Sequence, residues 1–404
     1  MTIPYLPTAL PRPSHWIDFA QFAPYETDAT LIAWLRDASG RTRELLGDLT
    51  SAQQIGPRGA LINPPLWEVA HLAWFAEQWL LRRGARTSNL TDATQPTLAR
   101  ADGLYNSATV PHGARWTLPL HTWREAWGYL DAVTDAICER LTRPATSLED
   151  AHERAYLATL SVFHHDMHNE AFAILRQTLG YAATPSCAAT PRLTTPCGAV
   201  PADVPADVRI EGDALRFSMG AQPAQGFVFC NEMWSHELTL APFTIAARPV
   251  SVGEYMNFVT ATQRALPAFW RKAEAGVAQQ HFADWRAPHD DEPMRHVSAF
   301  DAQAYCAWAR RGLPSEAQWE CAAKAGLLAE TGHVWEWTAS AFAPYAGFAS
   351  GPYTEYSAPW FDGAYRVLRG GSFLTPRRML RPTFRNFYTP DRHDMFCGFR
   401  TVAL

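Results

Sequence analysis

The chain has 404 residues, long enough for two domains of ordinary size, and its 47% hydrophobic and 19% charged residues describe a globular protein and exclude a disordered one. A formal net charge of −5 argues against a protein that holds nucleic acid or phosphate by bulk positive charge. Sixteen tryptophans and thirty prolines point instead to aromatic-lined pockets and long, proline-punctuated loops.

From the N-terminus, "MTIPYLPTALPRPSHW" carries neither the basic segment nor the apolar segment of a secretory signal. No apolar run approaches the ~20 residues that span a bilayer. The expectation is a cytoplasmic protein with reduced thiols. Helical spacing of apolar residues then appears in "DATLIAWLRDASGRTRELLGDL" (28–49). "PPLWEVAHLAWFAEQWLLRRG" (64–84) opens on prolines, which suit a first helical turn, and stops at Gly84. A third helix is expected over 122–142, and a long fourth over 147–180, where Ser147 and Asp150 form a capping-box variant. Four long amphipathic helices describe a four-helix bundle over residues 1–183.

An Ala/Pro/Thr-rich stretch over 184–207 has almost no periodicity and reads as a linker. Residues 208–404 change character. Short alternating runs such as "ALRFSMG", "FVFCNE", "HELTLAPFTIAARPVS" and "YRVLRGGSF" are interrupted by two helical segments, "SVGEYMNFVTAT" and "AFDAQAYCAWARR". That pattern is an α+β domain with small sheets and much irregular loop. The seven cysteines are scattered without a CxxC pair, so neither a zinc ribbon nor a thioredoxin-type site is supported.

The chemistry concentrates in "VFHHDMHNEAFAIL" (162–175). Residues four apart share a helix face, so His164 and His168 project together and His165 points elsewhere. A third ligand would come from a facing helix, and His71 is the candidate. The plain alternative is a set of satisfied core histidines. Three neutral imidazoles with open positions suit Fe(II), Zn(II) or other ions, and spacing does not choose among them. Glu170, two residues past His168, sits on a different side.

His164-x3-His168-x-Glu170, preceded by "PLWEVAHLAWFAEQWLLR", resembles the DinB-like bundle of the sulfoxide synthases that act on hercynine in ergothioneine biosynthesis. "RPVSVGEYMNFV", "HVSAFDAQAYCAWARRGLPSEAQWE", "GHVWEWTASAFAPYAGF", "YRVLRGGSF" and "RNFYTPDRHDMFCGFR" resemble the formylglycine-generating-enzyme-like (sulfatase-modifying) domain of that family, a C-type-lectin-like α+β fold. The resemblance implies Fe(II) on His71, His164 and His168, with O2 as co-substrate and hercynine as substrate. Glu170 is then implied as a residue orienting a ligand or water. The second domain is implied to close over the iron, with Tyr353 as donor of a proton or hydrogen atom and Tyr356 as the near alternative. Asn386, Phe387 and Tyr388, with Trp360, Phe361 and Met167, are implied around the substrate, whose trimethylammonium group suits aromatic walls.

Departures from the family pattern bear on the chalcogen donor. The loop "LYNSATVPHGARWTLPLH" holds Arg115 and lacks the Arg-x-x-Arg pair expected of enzymes that clamp γ-glutamyl-cysteine. Phe387 and Tyr388, not an acidic residue, follow Asn386, and Met167 stands where mycobacterial-type enzymes have a hercynine-contacting glutamine. Two donors remain, free cysteine and a neutral selenosugar that needs polar groups and aromatic stacking in place of a charge clamp; "HHDMHNEAFAILRQTLGY" resembles the metal helix of the selenoneine synthases, so the chain is read as that branch. A sulfoxide synthase using cysteine or γ-glutamyl-cysteine is the alternative. A non-catalytic binding module would not need the three histidines together with Tyr353, and a hydrolase or transferase would not need the second domain. Cys321 and Cys397 do not reproduce the close cysteine pair of formylglycine-generating enzymes, which disfavours sulfatase maturation.

Overall fold

A computed structural model describes residues 19–23, 25–83, 95–188, 206–274 and 276–404. The ends expected at Gly84, most of the linker (189–205) and Cys197 lie outside the described residues. Two compact units divide the chain: 1–175 with 223–227, and 176–222 with 228–404.

The described part of the first unit is helical. It comprises α1 (Asp28–Leu46), α2 (Ser51–Ile55), α3 (Pro65–Ala76), α4 (Ala101–Tyr105), α5 (Trp123–Thr142) and most of α6 (Leu148–Leu179). Side chains cap the long helices, as local chemistry requires of orphan N–H groups. The Thr27 hydroxyl accepts from Thr30 N and caps α1, whose first residue is Asp28, and Thr122 forms a capping box with Glu125. At α6 the Ser147 hydroxyl accepts from Asp150 N, as expected, while the reciprocal bond of the box falls one residue earlier, the Asp150 carboxylate accepting from Thr146 N. Pro65 opens α3, where its missing N–H costs nothing. Every residue from Pro65 to Phe75 is buried, which fits a helix apolar on nearly all sides. The chain continues directly into a π-helix, Glu77–Arg83.

Here His165 and Asp166 acquire their roles. Both are buried. The Thr42 hydroxyl of α1 lies 2.6 Å from His165 Nε2 and 2.6 Å from Asn169 Oδ1, and Asn169 Nδ2 donates to Ala38 O. Arg41 sits 3.7 Å from Asp166. These groups tie α1 to α6.

The second unit is α+β. The helix α7 (Pro185–Ala188) occupies the start of the segment expected as linker. One four-stranded sheet has the order β1 (Asp207–Ile210), β4 (Phe243–Ala246), β13 (Val402–Ala403), β8 (Arg311–Gly312). A second has the order β11 (Asn386–Tyr388), β10 (Arg366–Arg369), β9 (Trp335–Ala341), β12 (Cys397–Gly398). Smaller sheets pair β2 (Arg216–Met219) with β3 (His236–Thr239), and β5 (Trp270–Ala273) with β6 (Gly276–His281) and β7 (Asp284–Arg286). The two expected helices form as α8 (Val252–Thr262) and α9 (Ala299–Ala309). A third, α10 (Glu316–Lys324), was not expected; Ser315 and Gln318 cap it, a signal present in "SEAQWE". "FVFCNE" is not a strand but leads into a 3-10 turn over Cys230–Glu232, because Glu232 accepts from Phe229 N and closes the turn.

The glycine-rich motifs act through backbone space. A Cβ at Gly371 (φ 81°) would lie 2.3 Å from Leu380 Cδ2, and one at Gly398 would lie 2.2 Å from the Met294 carbonyl oxygen.

His296 is 1% exposed, with φ 63°, and its ring meets Phe269 and Phe396 at 4.8 and 4.9 Å. Burial, with the neighbouring Arg295 charge, pushes its imidazole from 6.5 down to about 3. Below pH 6.5 the unfolded chain therefore takes up a proton that the folded chain refuses. Stability contributed by the neutral ring is lost as pH falls, at roughly 1.4 kcal/mol per pH unit while the two states differ. His296→Asn, whose side chain tolerates the left-handed backbone, should flatten the pH dependence of urea unfolding between about pH 6 and 4. Equal slopes for both proteins would contradict this.

Candidate metal centre

Three histidines converge in the first unit. A ring nitrogen of each of His71, His164 and His168 lies within 4.8 Å of the others. His71 comes from α3; α6 supplies the other two, one helical turn apart, with ring centroids 4.5 Å from each other. His71 lies 5.2 and 5.1 Å from their centroids. His71 and His164 are 2% and 3% exposed, and His168 is half-buried.

Each ring is held differently. His71 Nδ1 is 2.7 Å from the Tyr105 carbonyl oxygen, and its face stacks on Trp67 at 4.8 Å and 13°. His168 Nδ1 is 3.0 Å from Glu68 Oε2. The His164 ring stacks on Phe75 at 3.6 Å and 7°. A carbonyl and a carboxylate on two Nδ1 atoms favour protonation there, which leaves Nε2 with its lone pair for a metal. Burial, reinforced by the neighbouring His168, pushes the His71 and His164 imidazoles well below their ordinary value. Both rings are thus neutral and ligand-competent at neutral pH. The donor set fits a first-row divalent cation with positions left for other ligands.

Sequence reasoning missed Glu68. It lies in the first turn of α3, is 4% exposed, and accepts from Asn63 Nδ2 at 2.5 Å. Burial would raise its carboxyl; His168, Asn63 and Arg115 outweigh that and hold it below the ordinary value. A carboxylate three residues before a helical histidine, inside an otherwise apolar run, was the available signal. Glu170 is buried on α6, two residues past His168 and about 200° around the helix. Met167 is half-buried beside His168.

The remaining candidates belong to the second unit, where several form an aromatic cluster. Tyr353 stacks on Tyr356 at 5.9 Å, and Tyr356 meets Phe387 at 6.2 Å. Trp360 is 6.4 Å from Phe387, and Phe361 packs on Phe342, which itself stacks on Phe387 at 3.9 Å. Burial, with Glu232 and Cys230 nearby, holds the Tyr356 phenol well above its ordinary value. Asn386, Phe387 and Tyr388 form β11 opposite Leu368, Val367 and Arg366. Side chains alternate along a strand, so Phe387 enters the cluster from one face while Asn386 and Tyr388 share the other. The Arg392 guanidinium lies 4.8 Å over the Tyr388 ring. Cys321 is part of a hydrophobic cluster with Ile210, Ile245 and Val402, and Cys397 Sγ lies 3.1 Å from the Val297 carbonyl oxygen. The first is packing, and burial pushes the second thiol well up, so neither is a poised nucleophile.

Fold and site together define a class: a chain with a helical unit that carries a three-histidine candidate metal centre, and an α+β unit of the sulfatase-modifying type. Residues 197–331 and 326–403 match the family model described as the sulfatase-modifying factor enzyme 1-like domain. The hercynine oxygenase of Mycobacterium tuberculosis is 30% identical, over 92% of this chain and 97% of its own length. The formylglycine-generating enzyme of Streptomyces coelicolor is 28% identical over 54% of this chain and 92% of its own length. Ergothioneine biosynthesis protein 1 of Schizosaccharomyces pombe is 27% identical over 44% of this chain and 27% of its own length. The chain belongs to the hercynine oxygenase family, the sulfoxide synthases of the ergothioneine type. No described helix is long and apolar enough to cross a membrane.

Proposed function

We propose that the protein joins a chalcogen oxidatively to the imidazole carbon of hercynine between the two ring nitrogens, using Fe(II) and O2, and that its donor is a neutral selenosugar. The product is a hercynyl selenoxide on the way to selenoneine. The C–H and Se–H bonds are lost and a C–Se bond forms; one atom of O2 ends on selenium and the other leaves as water with both hydrogens. The observation that carries the oxidative chemistry is the convergence of His71, His164 and His168 within 4.8 Å. Fe(II) held there would keep open positions and supply the redox chemistry through which O2 oxidises the two substrates. The DinB-like label for the helical unit belongs to the same reading.

The chain's own residues do the rest. His71 and His168, anchored through Nδ1, present fixed rings. Phe387, Tyr356, Trp360 and Phe361 provide aromatic faces for a trimethylammonium group, with Asn386, Tyr388 and Met167 as further substrate contacts and Glu170 as an orienting residue. Tyr353 is assigned the transfer of a proton or hydrogen atom, and Tyr356 is second to it because its buried phenol holds its proton tightly.

The neutral donor is supported by the state of Arg115. It is 7% exposed, donates to Asn63 Oδ1 at 2.7 Å, and lies 3.9 Å over the Trp67 ring. An arginine committed in this way is a poor clamp for a dianionic peptide thiol. Sulfoxide formation from cysteine or γ-glutamyl-cysteine is the second reading, favoured by the 30% identity to the mycobacterial hercynine oxygenase.

Anaerobic loading with Fe(II), then O2 and hercynine with 1-seleno-N-acetylglucosamine, cysteine or γ-glutamyl-cysteine in separate reactions, tests both readings by mass spectrometry. A selenium-bearing hercynine product from the selenosugar alone is expected. Sulfoxide from a thiol with the selenosugar inert would overturn the donor and keep the iron chemistry.

A further inference from the structure

The centre contains a brace that the ligand set does not account for. Helix α3 is apolar around nearly its whole circumference, yet its first turn carries Glu68, 4% exposed. Burying a carboxylate is costly unless it is paired and hydrogen-bonded. Glu68 meets both conditions: Oε2 faces His168 Nδ1 at 3.0 Å, and Oε1 accepts from Asn63 Nδ2 at 2.5 Å. Asn63 Oδ1 in turn accepts from Arg115 at 2.7 Å. The same Arg115 guanidinium covers the Trp67 ring, and Trp67 stacks on His71. One arginine therefore supports two rings on two helices, His168 through Asn63 and Glu68, and His71 through Trp67.

We infer that Glu68 is a positioning residue of the metal centre: its carboxylate, braced by Asn63 and Arg115, sets the tautomer and ring orientation of His168 and contributes a negative charge that a ligand set of three imidazoles lacks. The inference rests on reading the three histidines as the metal centre. Its physical basis is twofold. A carboxylate on Nδ1 makes the opposite nitrogen a stronger donor and stops the ring from turning. A divalent cation enclosed by neutral ligands is also helped by a nearby buried anion, because Coulomb attraction is less screened there than in water.

The test is a Co(II) titration of the metal-free full-length chain, read by d–d absorption and by competition with a chelator. Wild type, Glu68→Gln, Glu68→Ala and His168→Ala are compared, with the thermal unfolding of each metal-free protein as control. Wild type should bind one Co(II) per chain. Glu68→Ala should bind about 10–100-fold more weakly, with a changed d–d spectrum, and Glu68→Gln should fall between because its amide oxygen still accepts from Nδ1. If Glu68→Ala does not fold, the near-isosteric Glu68→Gln decides. Wild-type affinity and spectrum in the Glu68 variants, with binding lost in His168→Ala, would overturn the role of Glu68 and leave the metal centre standing. Failure of wild type to bind, or unchanged binding by His168→Ala, would remove the centre and this inference with it.

Discussion

His164→Ala should lower metal affinity by more than about 100-fold, since loss of an outer partner alone costs 10–100-fold, and turnover should fall with it. A direct readout is the unfolding temperature. A ligand present at about 100 times its Kd stabilises the native state by about 2.7 kcal/mol. At roughly 2–4 °C per kcal/mol for a unit of this size, that is a rise of about 5–10 °C on adding metal. The rise should vanish in His164→Ala. His165→Ala provides the contrast one residue along the same helix. Its ring contacts Thr42 of α1 and lies outside the three-histidine cluster. Losing it should cost about 1–3 kcal/mol of stability while the metal-dependent rise remains. Equal behaviour of the two variants would refute the separation of roles.

The second large effect concerns stability. Arg369 is fully buried in the second unit; one of its nitrogens donates to Glu316 and Glu320 of α10, each at 2.7 Å, and another to the Pro382 carbonyl. Arg385 also pairs with Glu316, and Arg400 with Glu336, whose carboxylate accepts from Trp319. Arg369→Met removes one cation and leaves two buried carboxylates short of a partner. Breaking such a pair typically costs 3–5 kcal/mol, because the remaining charge stays desolvated. Urea unfolding should show a loss of that size for the second unit, with Co(II) binding at the histidines retained in the folded protein. A change below about 1 kcal/mol would mean that Lys324, 2.7 Å from Glu320, and Arg385, paired with Glu316, compensate fully.

The helical first half was legible because its signals are local. Apolar spacing, the Ser147–Asp150 cap signal and the proline start of α3 act within one or two turns. The histidine pair was legible for the same reason, since four residues make one turn. The small sheets were less so. "FVFCNE" alternates like a strand, but its glutamate closes a turn. The helix α10 was overlooked although its capping box is written in the chain. Asn386, Phe387 and Tyr388 form a strand whose alternation sets Phe387 on one face and Asn386 and Tyr388 on the other, a division that the motif alone does not state.

By itself the sequence determined where the long helices lie, that His164 and His168 would project together, and which family motifs the second half carries. Each of these follows from periodicity or from short-range hydrogen bonds. The tertiary structure decided which residues from other segments meet that pair. It brought His71 across from α3, set Glu68 on His168, committed Arg115 to Trp67 and Asn63, and turned His165 and Asp166 towards α1. Such contacts depend on how helices pack, and packing selects among many partners that a linear pattern leaves equivalent.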